Sequence, residues 1–210
     1  MTATKMRAIA IAAVAAAGLA VAAIPGQASA ATDPDALHVS YDASGYSSIA
    51  KTGSSVKLGP TTLATILNTD GTFTGTLPLP PSSTTFKAIG LVPISATVNF
   101  IPVGAVTGTL GGVPLQVKSS TKYILRLSNV VVGGIPTPVG NSCQTIIPAT
   151  IPAVSDPNSN FDVVNGGTLT GSYTIPIFAG CGLTTALIDL LVPGPNNTIS
   201  LNLSNGVFSS

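Results

Sequence analysis

Apolar and polar residues alternate with a period of two through much of this chain. Ile94-Ser95-Ala96-Thr97-Val98-Asn99-Phe100, Leu169-Thr170-Gly171-Ser172-Tyr173-Thr174-Ile175 and Ile199-Ser200-Leu201-Asn202-Leu203-Ser204 each place an apolar side chain at every second position. Successive side chains of a strand point to opposite faces, so such runs predict strands with one buried and one wet face, as in antiparallel sheets. Turn residues separate the runs. Asp70-Gly71 lies between Leu63–Leu67 and Phe73–Leu79 and predicts a hairpin, while Gly111-Gly112, Gly133-Gly134 and Gly166-Gly167 mark further reversals. Prolines sit at run ends, as in Leu79-Pro80-Pro81 and Pro193-Gly194-Pro195, where no ladder hydrogen bond is lost. The pattern predicts an all-β fold, an antiparallel β-sandwich or partly closed barrel. One segment departs from it: residues 184–191 predict a short helix, with Leu183, Leu187, Leu190 and Leu191 on one face and Thr184 as its cap.

Part of the pattern recurs. Gly71-Thr72-Phe73-Thr74-Gly75-Thr76-Leu77-Pro78-Leu79-Pro80 parallels Gly167-Thr168-Leu169-Thr170-Gly171-Ser172-Tyr173-Thr174-Ile175-Pro176, and each runs on to a Phe-x-x-x-Gly-Leu stretch, 86–91 and 178–183. Thr107-Gly108-Thr109-Leu110 is a shorter echo. Two readings stay open: a duplicated unit forming two halves of residues 37–205, or strands that meet the same demand with the same residues. The unequal periods exclude a solenoid.

The front of the chain reads differently. Lys5 and Arg7 precede an apolar run over residues 8–24, Pro25-Gly26 breaks it, and Ala28-Ser29-Ala30 offers small residues to a signal peptidase. Residues 1–30 are therefore expected to be a Sec signal peptide, with 31–36 a flexible lead into a single β domain. The run is Ala-rich and shorter than the roughly 20 apolar residues that span a bilayer. No covalent membrane anchor is expected after cleavage.

Export changes the composition. Both methionines leave with residues 1–30, as do Lys5 and Arg7, so six basic residues face seven Asp. So few, scattered charges exclude a nucleic-acid surface. The chain has no Glu and no Trp, while Thr, Val and Ile abound, which favours strands over helices. In an exported chain the only two cysteines, Cys143 and Cys181, are expected to form a disulfide.

Thr74–Leu110 (TGTLPLPPSSTTFKAIGLVPISATVNFIPVGAVTGTL), Gly134–Cys143 (GIPTPVGNSC), Gly166–Leu183 (GGTLTGSYTIPIFAGCGL) and Leu191–Leu203 (LVPGPNNTISLNL) resemble small secreted proteins of actinobacteria, the high-GC Gram-positive bacteria. The resemblance covers most of residues 37–204. It implies export and one β domain, and carries over no catalytic residue and no ligand.

Few residues offer chemistry. His38 is the single histidine, and no Gly-x-Ser-x-Gly elbow accompanies it, so a Ser-His-Asp triad is not expected. A zinc site lacks ligands. The Asp residues stand mostly in turn contexts, where a carboxylate caps backbone amides. No catalytic residue and no cofactor is expected. Two binding candidates remain. Asp156, Asn158, Asn160 and Asp162 place oxygens at every second residue like the first half of a calcium loop. Phe161 takes the place of its turn glycine, however, and Gly167 that of its bidentate Glu, so a polar surface loop is the simpler expectation. Lys118, Lys122 and Arg126 fall on one face of an extended 113–127 run, opposite Leu115, Val117, Tyr123, Leu125 and Leu127. They form a candidate patch for an anionic wall polymer, against the simpler reading of a solvated strand face where lysine discourages edge pairing. Tyr41 and Tyr46 are the aromatic pair expected at the surface. Together these features point to a secreted, non-enzymatic extracellular or envelope-associated module, structural or binding. Its expected partner is a cell-wall polymer or another envelope protein. An envelope-membrane barrel and an unrecognised hydrolase are the alternatives.

Overall fold

The structure is a computed structural model and describes residues 36–88 and 91–209. The expected signal peptide and residues 31–35 of the lead segment lie outside them. Thirteen strands, one short helix and one 3-10 turn follow in chain order. The strands are β1 (Leu37–Ile49), β2 (Ser54–Leu67), β3 (Thr72–Thr76), β4 (Ser82–Ala88), β5 (Val92–Pro102), β6 (Val106–Gly111) and β7 (Gln116–Val132). They continue with β8 (Ile135–Pro136), β9 (Gln144–Thr145), β10 (Ala149–Val154), β11 (Gly166–Ile175) and β12 (Phe178–Ala179). A 3-10 turn (Gly182–Thr184) then leads into α1 (Thr185–Leu191), and β13 (Gly194–Ser209) ends the order. Every described pairing is antiparallel.

Eight strands close a ring: β1 pairs β2, β2 pairs β3, β3 pairs β6 and β6 pairs β7, while β7 also pairs β10, β10 pairs β11, and β13 lies between β11 and β1. This closed barrel occupies only one end of the long strands. The 17-residue β7 belongs to it through residues 116–123, paired with β6 and β10. Beyond Tyr123, the rest of β7 pairs with β5, which pairs with β4. There, β4-β5-β7 forms a second layer facing the upper parts of β1 and β2, and Thr84 Oγ1 donates to the Ser55 carbonyl across it at 3.1 Å. The molecule is thus a barrel at one end and a sandwich at the other, with both expected architectures present in one chain.

The predicted hairpin forms: β2 and β3 join through 68–71, where Asp70 Oδ1 accepts from the Thr72 amide at 2.8 Å. Period-two burial holds along β1, where Val39, Tyr41, Ala43, Ser47 and Ile49 are buried and the intervening positions mostly exposed. That parity separates the tyrosine pair. Tyr46 is exposed, but Tyr41 shares the odd positions of the core and points inward, correcting the expected surface pair. β7 is a central strand with partners on both edges, so its lysines guard no edge.

The two repeat copies form β3 and β11, which take matching places in the ring: each is separated from β1 by one strand and from β7 by another. In both, a glycine lies under a neighbouring carbonyl. A Cβ on Gly75 would strike the Ala64 oxygen, and one on Gly171 the Pro152 oxygen. Close approach of a neighbouring strand requires glycine at both sites.

Helix α1 forms where expected, but its face is rotated. Ile188 is its buried residue, whereas Leu183 and Leu190 stand out to solvent. A helix turns about 100° per residue, so Thr184, Leu187, Ile188 and Leu191 share the inward arc, and Leu183 and Leu190 fall on its flank. Thr184 holds the cap position with helical φ and ψ, so its hydroxyl makes no cap bond and donates back to the Cys181 carbonyl at 2.7 Å.

Candidate functional site: two apolar cavities in line

Inward-facing side chains leave three cavities in a row. One of about 70 Å³ lies in the barrel half, among Val39, Leu63, Phe73, Val117, Leu169 and Leu203. Another of about 70 Å³ lies in the sandwich half, among Ile49, Val56, Val98, Leu127, Ile188 and Leu191. A third, of about 20 Å³, sits between them and shares walls with both, including Ser47, Tyr173 and Leu125 with the sandwich half and Leu77, Ile151 and Leu201 with the barrel half.

Two tyrosines make this waist. Tyr123 is 1 % exposed; its hydroxyl donates to the Leu77 carbonyl and its ring meets Phe100 edge-on, with centroids 6.0 Å apart. Tyr173 Oη and Ser47 Oγ share a hydrogen bond of 2.7 Å. Burial pushes both phenols above their usual range. Buried Asn197 braces the turn beside them: its Oδ1 accepts from the Ala50 amide at 3.1 Å, and its Nδ2 donates to the Gly194 and Tyr173 carbonyls at 2.7 and 3.2 Å.

Hydroxyls reach into the walls, yet each is spent. Thr65 donates to the Val39 carbonyl, Ser119 to Ala153 and Ser47 to Thr198. Among the described residues no buried side-chain nitrogen or oxygen lacks a partner. The walls therefore present hydrocarbon. A polar group brought inside would lose water and find no partner, at a cost of about 1–3 kcal/mol.

The ends of the molecule differ. At the barrel end, the 155–165 connection folds over the opening. Phe161 packs edge-on against Tyr41, 6.3 Å between centroids, and its amide bonds the Leu115 carbonyl at 2.8 Å. This connection contains the four candidate calcium ligands, and their oxygens are turned onto separate protein donors. Asp156 Oδ1 accepts from the Asn158 amide, and Asn160 Oδ1 from the Leu115 amide. Asp162 Oδ1 takes the Val164 and Asn165 amides and its Oδ2 the Asn165 side chain. Asn158 enters as a donor to Asp156, through its amide and its Nδ2. The four build a pinned plug. Bonds from the Asn165 backbone, the Asn165 side chain and the Val164 backbone hold the Asp162 carboxyl below its usual 3.8. Burial raises the Tyr41 phenol, and the Asp162 charge adds to it.

At the sandwich end a lid replaces the plug. Cys143 and Cys181 form the expected disulfide, both with 0 % exposure. It ties the chain entering the 3-10 turn to the segment before β9, which pairs β12. Helix α1 rests on β12 and the 3-10 turn and turns Leu187, Ile188 and Leu191 into the cavity. Asp189 Oδ1 accepts from the Phe178 amide at 2.7 Å.

Charge is divided along the same axis. Asp70, Asp156 and Asp162 lie in the connections at the barrel end, and Asp42 in the barrel half of β1, whereas Lys51, Lys57 and Lys87 belong to the sandwich half. Lys118, Lys122 and Arg126 line up on the outer face of β7 as the alternation predicts, at intervals of about 13 Å. Their cross-strand neighbours, Thr109, Val154, Thr150, Asn99 and Gln144, are uncharged. His38 is an exposed β1 residue paired with Ser209 and Ile66.

Fold and interior together define a closed antiparallel β-barrel, extended into a sandwich, with an apolar core channel. No family model, no characterised relative and no solved structure matches the chain.

Proposed function

We propose that this chain is an exported, non-enzymatic module of the cell exterior or envelope that holds an apolar ligand within its interior. The carrying observation is the row of cavities whose wall hydroxyls are all spent on the protein itself. Such walls favour hydrocarbon and offer no unpaired group to attack a bound molecule. The disulfide supports an oxidising compartment, and the actinobacterial resemblance accords with it. The alternative of a membrane barrel is disfavoured by polarity. Such barrels face lipid with apolar side chains, whereas here the outward positions of β11 and β13 are Thr168, Thr170, Ser172, Thr198, Ser200 and Asn202. Titration with n-hexane, followed by methyl chemical shifts, tests the reading. Saturable shifts of interior methyls on a folded protein are expected, and their absence overturns it.

The stripe on β7 favours a second component, retention at an anionic wall polymer. Three cations with uncharged flanks provide a track for repeating phosphates. Binding to polyphosphate resin that weakens with salt and vanishes in the Lys118→Ser/Lys122→Ser/Arg126→Ser variant is expected. Retention unchanged in that variant removes this component.

A further inference from the structure

Building on the reading that the interior takes apolar ligands, we propose that the sandwich-half cavity is the ligand site. Its ligand is a medium-length, single-chain carboxylate amphiphile, with the tail inside and the carboxylate outside against Lys51. Four observations converge on this assignment.

The first is size. About 70 Å³ is roughly half the volume of a cavity that takes benzene, so it admits a slim unbranched chain and no ring. A longer tail meets the waist, where the Tyr123–Leu77 and Ser47–Tyr173 hydrogen bonds stand across the channel. The second is wall chemistry. With the wall hydroxyls spent, a carboxylate has no partner inside and must remain at the rim. The third is charge, which separates two cavities alike in size and lining. Lys51 stands in the β1–β2 turn beside Thr52, a residue of the sandwich-half wall, whereas Lys87 falls on the outer face of β4, opposite Phe86. Asp189, the acid of that half among the described residues, is turned to the Phe178 amide. The barrel end carries Asp70, Asp156 and Asp162, which repel an anionic head. The fourth is access. The barrel-half cavity is walled by a ring of paired strands and flanked by the Phe161 connection, which is pinned by its own hydrogen bonds. The sandwich half is covered by a two-turn helix resting on β12 and the 3-10 turn, with Leu183 and Leu190 bare on its outer flank. A helix held by so few neighbours is the element that yields to an entering chain.

Octanoate and its neutral counterpart 1-octanol are titrated into the folded chain by calorimetry and methyl chemical shifts. Octanoate is expected to bind one to one, about tenfold tighter than 1-octanol at low salt. It should shift the Ile49, Val98 and Leu127 methyls and leave those of Leu63, Leu169 and Leu203 in place. Lys51→Ser should reduce octanoate to the level of 1-octanol without changing 1-octanol. Ala96→Phe, which fills the sandwich-half cavity, should abolish both, and Ala153→Phe in the barrel half should spare both. Equal binding of the two probes, or no effect of Lys51→Ser, overturns the assignment of the head. Shifts confined to the barrel-half methyls overturn the assignment of the cavity, and this readout needs no variant to fold. In both cases hexane still binds; failure of hexane itself removes the broader reading.

Discussion

The barrel half and the sandwich half enclose cavities of equal volume by different means. In the barrel half the wall is continuous, with every strand edge paired and the end stopped by a loop whose carboxylates hold backbone amides. In the sandwich half β5 and β4 lie outside the ring on the continuation of β7, the two layers face each other without a shared ladder, and the gap is filled by α1 and tethered by a disulfide. The same two-residue alternation lines both cavities. What differs is the hydrogen-bonding of the edges, and therefore the ease with which each can open. Enclosure by ladder is rigid, whereas enclosure by a packed helix is conditional on side-chain contacts alone.

The strongest way to break this contrast is to cut the tether. A disulfide spanning 38 residues lowers the unfolded-state entropy by the equivalent of about 3.9 kcal/mol in the chain-entropy model. Cys143→Ser/Cys181→Ser is expected to lose stability of that order in urea unfolding. Hydrogen exchange should quicken in β9, β12 and α1 well before β3 and β6. Equal acceleration everywhere would make the halves one cooperative unit.

The waist is the next lever. Tyr123→Phe removes the donor to the buried Leu77 carbonyl, and a cost of about 1–3 kcal/mol is expected from the urea midpoint. Since Tyr123 stands between the cavities, its loss should loosen both halves, in contrast to the disulfide variant.

Acid should act on the barrel end. The Asp162 carboxyl titrates below its usual value in the folded protein, so its contribution is full above the ordinary carboxylate range and is lost as pH falls through the lowered value. The melting temperature is expected to fall below about pH 4. Asp162→Asn, which cannot change charge, should flatten that fall. An unchanged acid limb would free the plug from any role in closing the barrel.

The smallest effect is expected on the outer wall. Replacing Lys118, Lys122 and Arg126 by Ser should alter stability by no more than about 0.5 kcal/mol per site, because these side chains lie on the outer face of a fully paired strand. A larger loss, read from the urea midpoint, would mean that the stripe supports the fold.

Strand identity was legible because burial repeats every second residue and the signal is local. Both architectures were present in the alternation of β5, β11 and β13, yet the joining of barrel to sandwich was not, because it depends on β7 exchanging β6 for β5 along one edge. The disulfide followed from having only two cysteines. The face of α1 was misread because two turns carry too few residues to choose between Leu183-Leu187-Leu190-Leu191 and Thr184-Leu187-Ile188-Leu191. The 156–162 pattern was ambiguous for a chemical reason: oxygens at alternate positions serve a cation or backbone amides equally well, and only the direction of each side chain decides. Tyr41 was misplaced although its odd position, shared with Val39 and Ala43, carried the signal. The cavities had no sequence signature, since each strand contributes only a few wall residues and the space between them is a property of the closed ring.

The place of β13 has a consequence for how the molecule is assembled. It lies between β1 and β11, with His38 opposite Ser209 and Gly167 opposite Leu203. The first strand to emerge therefore waits for the last before its second edge is filled. Contacts of such sequence separation slow folding, and a chain made from its N-terminus keeps β1 half-paired until β13 is available. The order of strands thus acts as a timer, postponing the finished barrel until its last strand has been made.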